Sequence, residues 1–340
     1  MNSTERSQLQ LEQKKLETKI FSPFIDTSFE EIALQIFHIQ SYLCEPYSRY
    51  ISLLGIDHSS VKTIDQIPFL PVTFFKTENI VSFEGNAQKI FTSSATTGMT
   101  PSRHPIKKLS LYEKSFFSAF DEFMGHPSQY TILALLPSYM ERKGSSLIYM
   151  TEALIKSSQN KDSGFFLYNF TELHQTLLKL KETNSKTLLL GVTFALLDFI
   201  NQYQIKFPSL TVIETGGMKG RKKELSREEV HKILKAGFGV DKIGSEYGMA
   251  ELMSQAWSLG DGIFETPPWM QIKIRDINNP FKYEPLGHKG GINIIDLANL
   301  YSCSFIETED LGIKKAGNKF TISGRIQNSE LRGCNLLLEI

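Results

Sequence analysis

The sequence predicts an α/β protein: a large domain built on a mixed, mostly parallel sheet, followed by a small β-rich part at the C-terminus. Two observations predict this fold class. Between residues 109 and 236, short apolar runs of strand length alternate with segments of helical periodicity, which is the pattern of β-α-β units. Roughly the last hundred residues instead contain short β-like runs separated by Gly, Pro and Asn, which favours antiparallel structure.

The composition is that of an ordinary globular protein. The 340 residues are 41% hydrophobic and 22% charged, and the acidic and basic residues balance to a formal net charge of zero. A neutral chain gives no electrostatic reason to expect a nucleic-acid or anionic-membrane partner, and no apolar run is long enough to span a membrane. The polar N-terminus and three scattered cysteines favour a cytoplasmic protein without a disulfide framework.

The first part of the chain predicts helices. Residues 1–20 are polar and have sparse apolar positions, so we expect a helical N-terminal arm that precedes a domain over 21–340. Apolar residues recur at spacings of four and three through 28–43, which indicates one buried helix face. Prolines among apolar residues over 61–79 predict an extended connector, and it leads to a strand at 88–92.

The middle of the chain predicts the sheet and its covering helices. The predicted helices lie at 109–124, 145–157, 171–183, 193–203 and 227–236. The predicted strands lie at 130–137, 165–170, 187–190 and 210–215, with a turn at Gly191. Ser226 and Glu229 have the spacing of a capping box. The later β-like runs are 271–275, 291–297 and 319–322.

A hydroxyl-rich turn follows the strand at 88–92. It reads Thr92-Ser93-Ser94-Ala95-Thr96-Thr97-Gly98, with five hydroxyl side chains in seven residues. Convergent O–H and N–H donors suit a phosphate group, although an ordinary Ser/Thr-rich surface loop has the same composition. The standard phosphate-loop pattern does not fit, because no lysine follows the glycine.

Two stretches in the middle of the chain also suit ligand binding. Gly216-Gly217 follows a predicted strand, where a ligand could lie against the backbone or the chain could simply turn. In Tyr247-Gly248 and the nearby Glu251, an aromatic ring could stack on a planar group. The carboxylate of Glu251 could bind Mg²⁺, which prefers oxygen ligands.

Two stretches near the C-terminus carry further candidates. The acidic run 307–310 is either a solvated turn or a source of a carboxylate for a ribose diol. Farther on, Gly324-Arg325 precedes Arg332-Gly333-Cys334. A lone cysteine is usually an inert small hydrophobe, whereas a cysteine beside an arginine can have a lowered pKa and act as a nucleophile.

In this order the stretches resemble the adenylate-forming superfamily, and most closely its acyl-protein synthetase family, the luciferin-component ligases of bacterial bioluminescence. The Ser-Ser-x-Thr-Thr-Gly loop, the Ser-Arg-His that ends at His104, the Ser-Glu-Tyr-Gly-Met-x-Glu-Leu-x-Ser-Gln stretch at 245–255 and the terminal Arg-Gly-Cys carry the resemblance. It extends from about residue 20 to the end. It implies an acyl-CoA synthetase-like fold without the superfamily's C-terminal lid domain.

The resemblance implies a reaction. A carboxylic acid, above all a fatty acid, would react with ATP to give an acyl-adenylate. The acyl group would then form a thioester with Cys334 or pass to a partner protein, an acyl carrier or a reductase. ATP and Mg²⁺ are the implied cofactors.

The resemblance also implies residue roles. Glu251, His104 and Cys334 are the implied catalytic residues, and Glu251 is also the implied metal ligand. The segment 191–197 lies where the family's acyl pocket is lined. The implied nucleotide-binding residues are Ser93, Ser94, Thr96, Thr97 and Gly98 for the phosphates, Gly216, Gly217, Tyr247 and Gly248 for the adenine, and Asp310 and Arg325 for the ribose.

Two positions depart from the family pattern. Ala95 replaces a loop glycine, and Ala250 replaces a threonine. These two departures favour one alternative, a degenerate partner subunit that only binds a nucleotide or an acyl ligand. A second alternative is an acyltransferase that uses Cys334 and takes its acyl group from CoA or an acyl-carrier protein without ATP.

Overall fold

The computed structural model describes residues 2–22, 28–93, 100–137, 144–216 and 225–326. The chain forms two compact units. Unit 1 combines Met1–Asn86 with Pro268–Ile340, and unit 2 is Ala87–Pro267. Among the described helices, none is both long and apolar enough to cross a membrane.

The helices and strands of the described residues are as follows. The helices are α1 (Ser3–Lys19), α2 (Phe29–Leu43), α3 (Glu45–Leu53), α4 (Phe74–Thr77), α5 (Leu109–Phe123), α6 (Ser146–Ser158), α7 (Phe170–Glu182), α8 (Thr193–Gln202) and α9 (Arg227–Phe238). The strands are β1 (Leu70–Pro71), β2 (Lys89–Thr92), β3 (Arg103–Ile106), β4 (Thr131–Leu135), β5 (Gly164–Phe166), β6 (Thr187–Val192), β7 (Thr211–Thr215), β8 (Gly244–Tyr247), β9 (Ala256–Ser258), β10 (Ile263–Glu265), β11 (Met270–Arg275), β12 (Lys289–Asp296), β13 (Phe305–Lys314) and β14 (Lys319–Arg325).

Unit 2 is organised around strands in the spatial order β10-β9-β8-β7-β6-β4-β5. The strands from β5 to β8 in this order are parallel, and β9 and β10 continue the sheet antiparallel. Both β4 and β6 are buried along their whole length, as expected for parallel strands that helices cover. Separately, β2 and β3 form an antiparallel ribbon.

Local sequence signals fix the helices of unit 2. Helix α9 begins with the predicted capping box, in which the Ser226 side chain accepts from the backbone N–H of Glu229 and the Glu229 side chain accepts in return. It ends at Phe238, and the next residue, Gly239, has the left-handed conformation that glycine adopts most easily. Apolar side chains from the strands and helices form one core in unit 2.

Unit 1 contains an antiparallel sheet in the order β11-β12-β13-β14. Strand β1 adds to β13 in parallel, with Leu70 opposite Ile306. Helix α1 packs within this unit, since Leu9, Leu16 and Ile20 are buried. The buried Gln13 also donates from Nε2 to the carbonyl oxygen of Leu300 at 2.8 Å.

The mixed α/β fold class predicted from the sequence is confirmed, and four local predictions are corrected. Gly191 lies inside β6 rather than in a turn, because α8 follows that strand directly. The strand predicted over 165–170 is shorter, since α7 begins at Phe170. The connector over 61–79 contains β1 and α4, and the acidic run 307–310 lies in strand β13.

Candidate active site

The carboxyl ends of the parallel strands in unit 2 gather polar side chains. Strands β6, β7 and β8 are neighbours, so their carboxyl ends share one edge of the sheet, where ligands bind in open α/β sheets. Thr215 lies opposite Glu246 in the register. This pairing brings two predicted segments, Gly216 and Tyr247-Gly248, to the ends of adjacent strands. Gly216 has a positive φ of 68°, which explains the glycine there.

Glu214 is the centre of one hydrogen-bond network at this edge. Its Oε1 accepts from the Ser245 hydroxyl at 2.6 Å, and its Oε2 accepts from the Thr193 hydroxyl at 2.7 Å. The His231 ring and the Arg227 guanidinium lie 3.6 and 3.7 Å from Oε1. Burial opposes ionisation of this carboxyl, but these hydrogen bonds and the arginine charge outweigh burial and lower the pKa of Glu214.

Glu246 has a different environment on the adjacent strand. Its Oε2 accepts from the Thr215 hydroxyl at 2.5 Å. Burial, which is the largest cause, and the nearby Glu214 charge together raise the pKa of Glu246 to about 7. Two acidic side chains of neighbouring strands therefore differ in their ease of ionisation.

His104 connects the ribbon to the segment that carries Glu251. Its Nδ1 lies 2.9 Å from the carbonyl oxygen of Ala250. A carbonyl only accepts, so Nδ1 carries the hydrogen in this contact. Burial lowers the pKa of His104 to about 4, although the bond to Ala250 opposes this shift. A neutral imidazole thus fixes the backbone next to Glu251, whose side chain is also buried.

Ser93 follows β2 and pairs with Ser102, which precedes β3. Its hydroxyl accepts from the backbone N–H of Ser102 at 2.9 Å, and its own N–H donates to the Ser102 carbonyl at 3.2 Å. The Ser93 side chain therefore binds the backbone of the residue before β3, and its phosphate contact stays a prediction. Ser94, Thr96, Thr97 and Gly98 lie outside the described residues, as do Gly217 and Cys334.

Asp310 and Arg325 form a pair within unit 1. They face each other across β13 and β14, and the Arg325 Nε lies 3.2 Å from the Asp310 Oδ1. Asp310 is buried, whereas the arginine side chain is exposed. The two residues predicted for the ribose are thus adjacent, and their ribose contact stays a prediction.

The donor chemistry of Glu251 suits Mg²⁺. This cation usually takes one or two protein carboxylates and keeps several waters, so it needs no dedicated cage of acids. The described residues contain no group of three or more His, Cys, Asp or Glu placed to hold a metal ion. A single carboxylate beside substrate phosphates is the arrangement that fits.

Four titratable or charged residues at this edge were not predicted from the sequence as site residues: Glu214, Glu246, His231 and Arg227. Glu214 lies within the strand predicted over 210–215, and Glu246 lies within the stretch 245–255 that carries the family resemblance. Both lie one residue before the end of a strand, which was the available signal, but their partners lie on other strands and helices.

Unit 1 also contains a cavity of about 330 Å³. Its walls include the aromatic side chains of Tyr50, Phe69 and Tyr283 together with Glu307. None of the residues predicted for substrate or nucleotide lines it.

Comparison with solved structures shows the fold. The chain matches 2-hydroxyisobutyryl-CoA ligase, in an open conformation with 2-HIB-AMP and CoA, with a TM-score of 0.66 and 12% identity over 87% of this chain and 69% of that chain. It matches ATP-bound MatB from Rhodopseudomonas palustris with a TM-score of 0.53 and 16% identity over 71% of this chain and 49% of that chain. The chain thus spans about half the length of MatB. No curated protein matches the chain.

A match to a family model shows which protein family the chain belongs to. The model described as acyl-protein synthetase, LuxE, matches residues 25–339. The predicted acyl-CoA synthetase-like fold is confirmed by the solved structures, and the match covers both units. The chain belongs to the acyl-protein synthetase, LuxE, family, and it is an acyl-adenylate-forming ligase.

Proposed function

We propose that the protein activates a carboxylic acid with ATP and then holds the acyl group as a thioester on Cys334. The observation that carries this proposal is the arrangement in unit 2. Gly216 and Tyr247-Gly248 end adjacent strands, and His104 fixes the backbone next to Glu251. A fatty acid is the first candidate substrate. An acyl carrier or a reductase that receives the acyl group, and a cytoplasmic location, belong to the same proposal.

The first step needs positioning more than acid–base chemistry. A carboxylate oxygen of the acid forms a bond to the α-phosphorus of ATP, and the bond from that phosphorus to the β-phosphate oxygen breaks. Pyrophosphate leaves with the electron pair. Such phosphoryl chemistry depends on alignment and charge neutralisation. The backbone at Gly216 and the Tyr247 ring would orient the adenine, and Glu251 would hold Mg²⁺, which neutralises phosphate charge when bound.

The second step needs a reactive thiolate. The sulfur would attack the acyl carbonyl, the bond to the AMP oxygen would break, and the thiol proton would go to water. Burial raises the pKa of the Cys44 thiol to about 12, and burial raises the pKa of Cys303 as well. Both thiols are therefore poor nucleophiles, which supports Cys334 as the acceptor.

Intact-protein mass spectrometry tests the proposal. The protein is incubated with MgATP and a panel of carboxylic acids, then treated with or without hydroxylamine. We expect a mass gain that matches one acid, that hydroxylamine removes and that Cys334→Ser abolishes, while Cys303→Ser retains it. Labelling that persists in Cys334→Ser would place the acceptor elsewhere. Labelling from acyl-CoA but not from acid with ATP would favour the acyltransferase, and no labelling in either case would favour a partner subunit.

A second variant tests the metal ligand. We expect Glu251→Gln to lower acid-dependent pyrophosphate release by at least about 100-fold, because losing a metal ligand should cost no less than losing one of its outer-shell partners, which costs about 10–100-fold. The circular dichroism spectrum should be unchanged. Glu228→Gln, which changes an exposed acid of α9, is the matched control and should keep full activity. Full pyrophosphate release by Glu251→Gln would exclude this role.

A further inference from the structure

Glu246 is a buried acid whose only described hydrogen bond reaches the next strand. The residue is 9% exposed, and its Oε2 accepts from the Thr215 hydroxyl at 2.5 Å. Thr215 is the last residue of β7, and it lies opposite Glu246 in the parallel register. This side-chain hydrogen bond therefore joins the carboxyl ends of β7 and β8, at the last residue pair of the two strands.

The second oxygen of the same carboxyl group lies against Gly248, which connects β8 to the turn at residues 249–252. A Cβ atom at residue 248 would stand 2.4 Å from Glu246 Oε1. Any side chain there would displace the carboxyl group or the turn. Gly248 thus leaves room for Glu246, and one carboxyl group contacts both the end of β7 and the turn after β8.

The two faces of this strand pair are fixed in different ways. Glu214 and Ser245 lie opposite each other on one face and are joined by a hydrogen bond, and Glu246 and Thr215 occupy the other face because side chains alternate along strands. Two titratable groups interact electrostatically with Glu246. The charge of Glu214 of β7 raises the pKa of Glu246, and the charge of Glu246 raises the pKa of Tyr112 of α5. Neither is a cation, so no ion pair among the described residues compensates the buried carboxyl.

An acid at this position is costly for the fold. A buried carboxyl without an opposite charge loses hydration that one hydroxyl bond only partly replaces. Its contacts reach the residue before Gly216 and the glycine after Tyr247, which are the two segments that the proposed function assigns to the adenine. The buried acid therefore lies between these two segments.

We propose that Glu246 is a positioning residue for ATP. Its carboxyl group accepts from Thr215 and lies against Gly248, and it holds the Gly216 and Tyr247 segments at the separation that the adenine needs. This inference rests on the proposed function. It assigns Glu246 no contact with the reacting atoms.

Steady-state kinetics of acid-dependent pyrophosphate release tests this inference. Glu246→Leu removes both acceptor oxygens, and Thr215→Val removes the donor hydroxyl. We expect each to raise the KM for ATP about tenfold, the effect of losing a hydrogen bond worth about 1.4 kcal/mol, with kcat and the KM for the acid changed less than about twofold. The double variant should be no worse than either single variant, because both remove one interaction.

Conservative variants separate positioning from general damage. Glu246→Gln keeps an oxygen that accepts from Thr215, and Thr215→Ser keeps the hydroxyl, so both should retain a KM for ATP near that of the wild type. Equal losses in Glu246→Gln and Glu246→Leu, additive effects in the double variant, or a loss confined to kcat would overturn the inference. Absence of ATP-dependent activity in the wild type would instead refute the proposed function, so the two failures are distinguishable.

Discussion

Glu214 and Glu246 occupy adjacent strands, yet their environments favour different ionisation states. Hydrogen bonds and the Arg227 charge favour the charged form of Glu214, whereas burial favours the protonated form of Glu246. Neither state could be predicted from the sequence. The Thr215 partner of Glu246 is 31 residues away in the chain, and only the register of β7 and β8 brings the two side chains together.

His104 supports a prediction at the same scale. Its pKa of about 4 in the folded protein lies below the ordinary value of 6.5, so the unfolded chain binds more protons between these pH values. The stabilisation from a neutral His104 is therefore full above pH 6.5 and is lost as the pH falls toward 4. His104→Asn keeps a donor for Ala250 but cannot take up the proton, so we expect a flatter dependence of unfolding free energy on pH.

Urea denaturation at several pH values between 4 and 7 measures this effect. Across this pH window, His104 should lower the free energy of unfolding of the wild type by up to about 3 kcal/mol, because each unit of pKa shift is worth about 1.4 kcal/mol. His104→Ala should also flatten the curve, but it should cost about 1–3 kcal/mol at pH 7 because the Ala250 oxygen loses its donor. An unchanged slope in His104→Asn would show that another group causes the pH dependence.

At the scale of elements, the predicted helices were placed well where the signals are local. The capping box that begins α9 involves two residues three apart, Ser226 and Glu229, so the sequence shows it directly. Strand β13 was missed because its acidic residues suggested a solvated turn. In the sheet, Thr308 and Asp310 of this strand are buried, and their partners come from β12 and β14, which no local pattern reveals.

The buried side-chain amide of Gln40 connects helix α2 to residues 299–304. The Gln40 Nε2 donates to the backbone oxygens of Asn299 and Leu300 at 3.0 and 3.1 Å, and its Oε1 accepts from the Ser304 N–H at 2.9 Å. We expect Gln40→Leu to keep the volume but lower the free energy of unfolding by about 2–3 kcal/mol, because buried backbone groups lose their partners.

Thermal or urea unfolding measures this loss. Gln35→Leu on the exposed face of the same helix is the control, and we expect it to change the free energy of unfolding by less than about 0.5 kcal/mol. Equal effects of the two substitutions would show that the amide contacts of Gln40 add nothing to stability.

At the scale of the whole molecule, the sequence predicted the α/β class and the β-rich C-terminal part, but it did not predict the division into two units. Alternating strands and helices follow one another within unit 2, so their pattern is visible along the chain. Unit 1 joins the first 86 residues to a segment that starts at Pro268. The periodicity of a single sequence carries no information about contacts between segments so far apart in the chain.

The division predicts different behaviour for fragments. Residues 87–267 are continuous and have their own core, so we expect this fragment to unfold in one cooperative urea transition monitored by circular dichroism. Residues 1–86 alone should show no such transition, because the partners of Gln13 and Gln40 lie at 299–304. Cooperative unfolding of the isolated 1–86 fragment would contradict this assignment of its contacts.

The pairing of β1 with β13 has a consequence for biosynthesis. Leu70 leaves the ribosome long before its sheet partner Ile306 has been translated, whereas all of 87–267 emerges in between. The face of α2 that carries Phe37 and Gln40 packs on residues 299–305, so it remains without these partners in the nascent chain for most of translation. Until the last strands are made, that face is a natural substrate for chaperones that shield exposed hydrophobic surface.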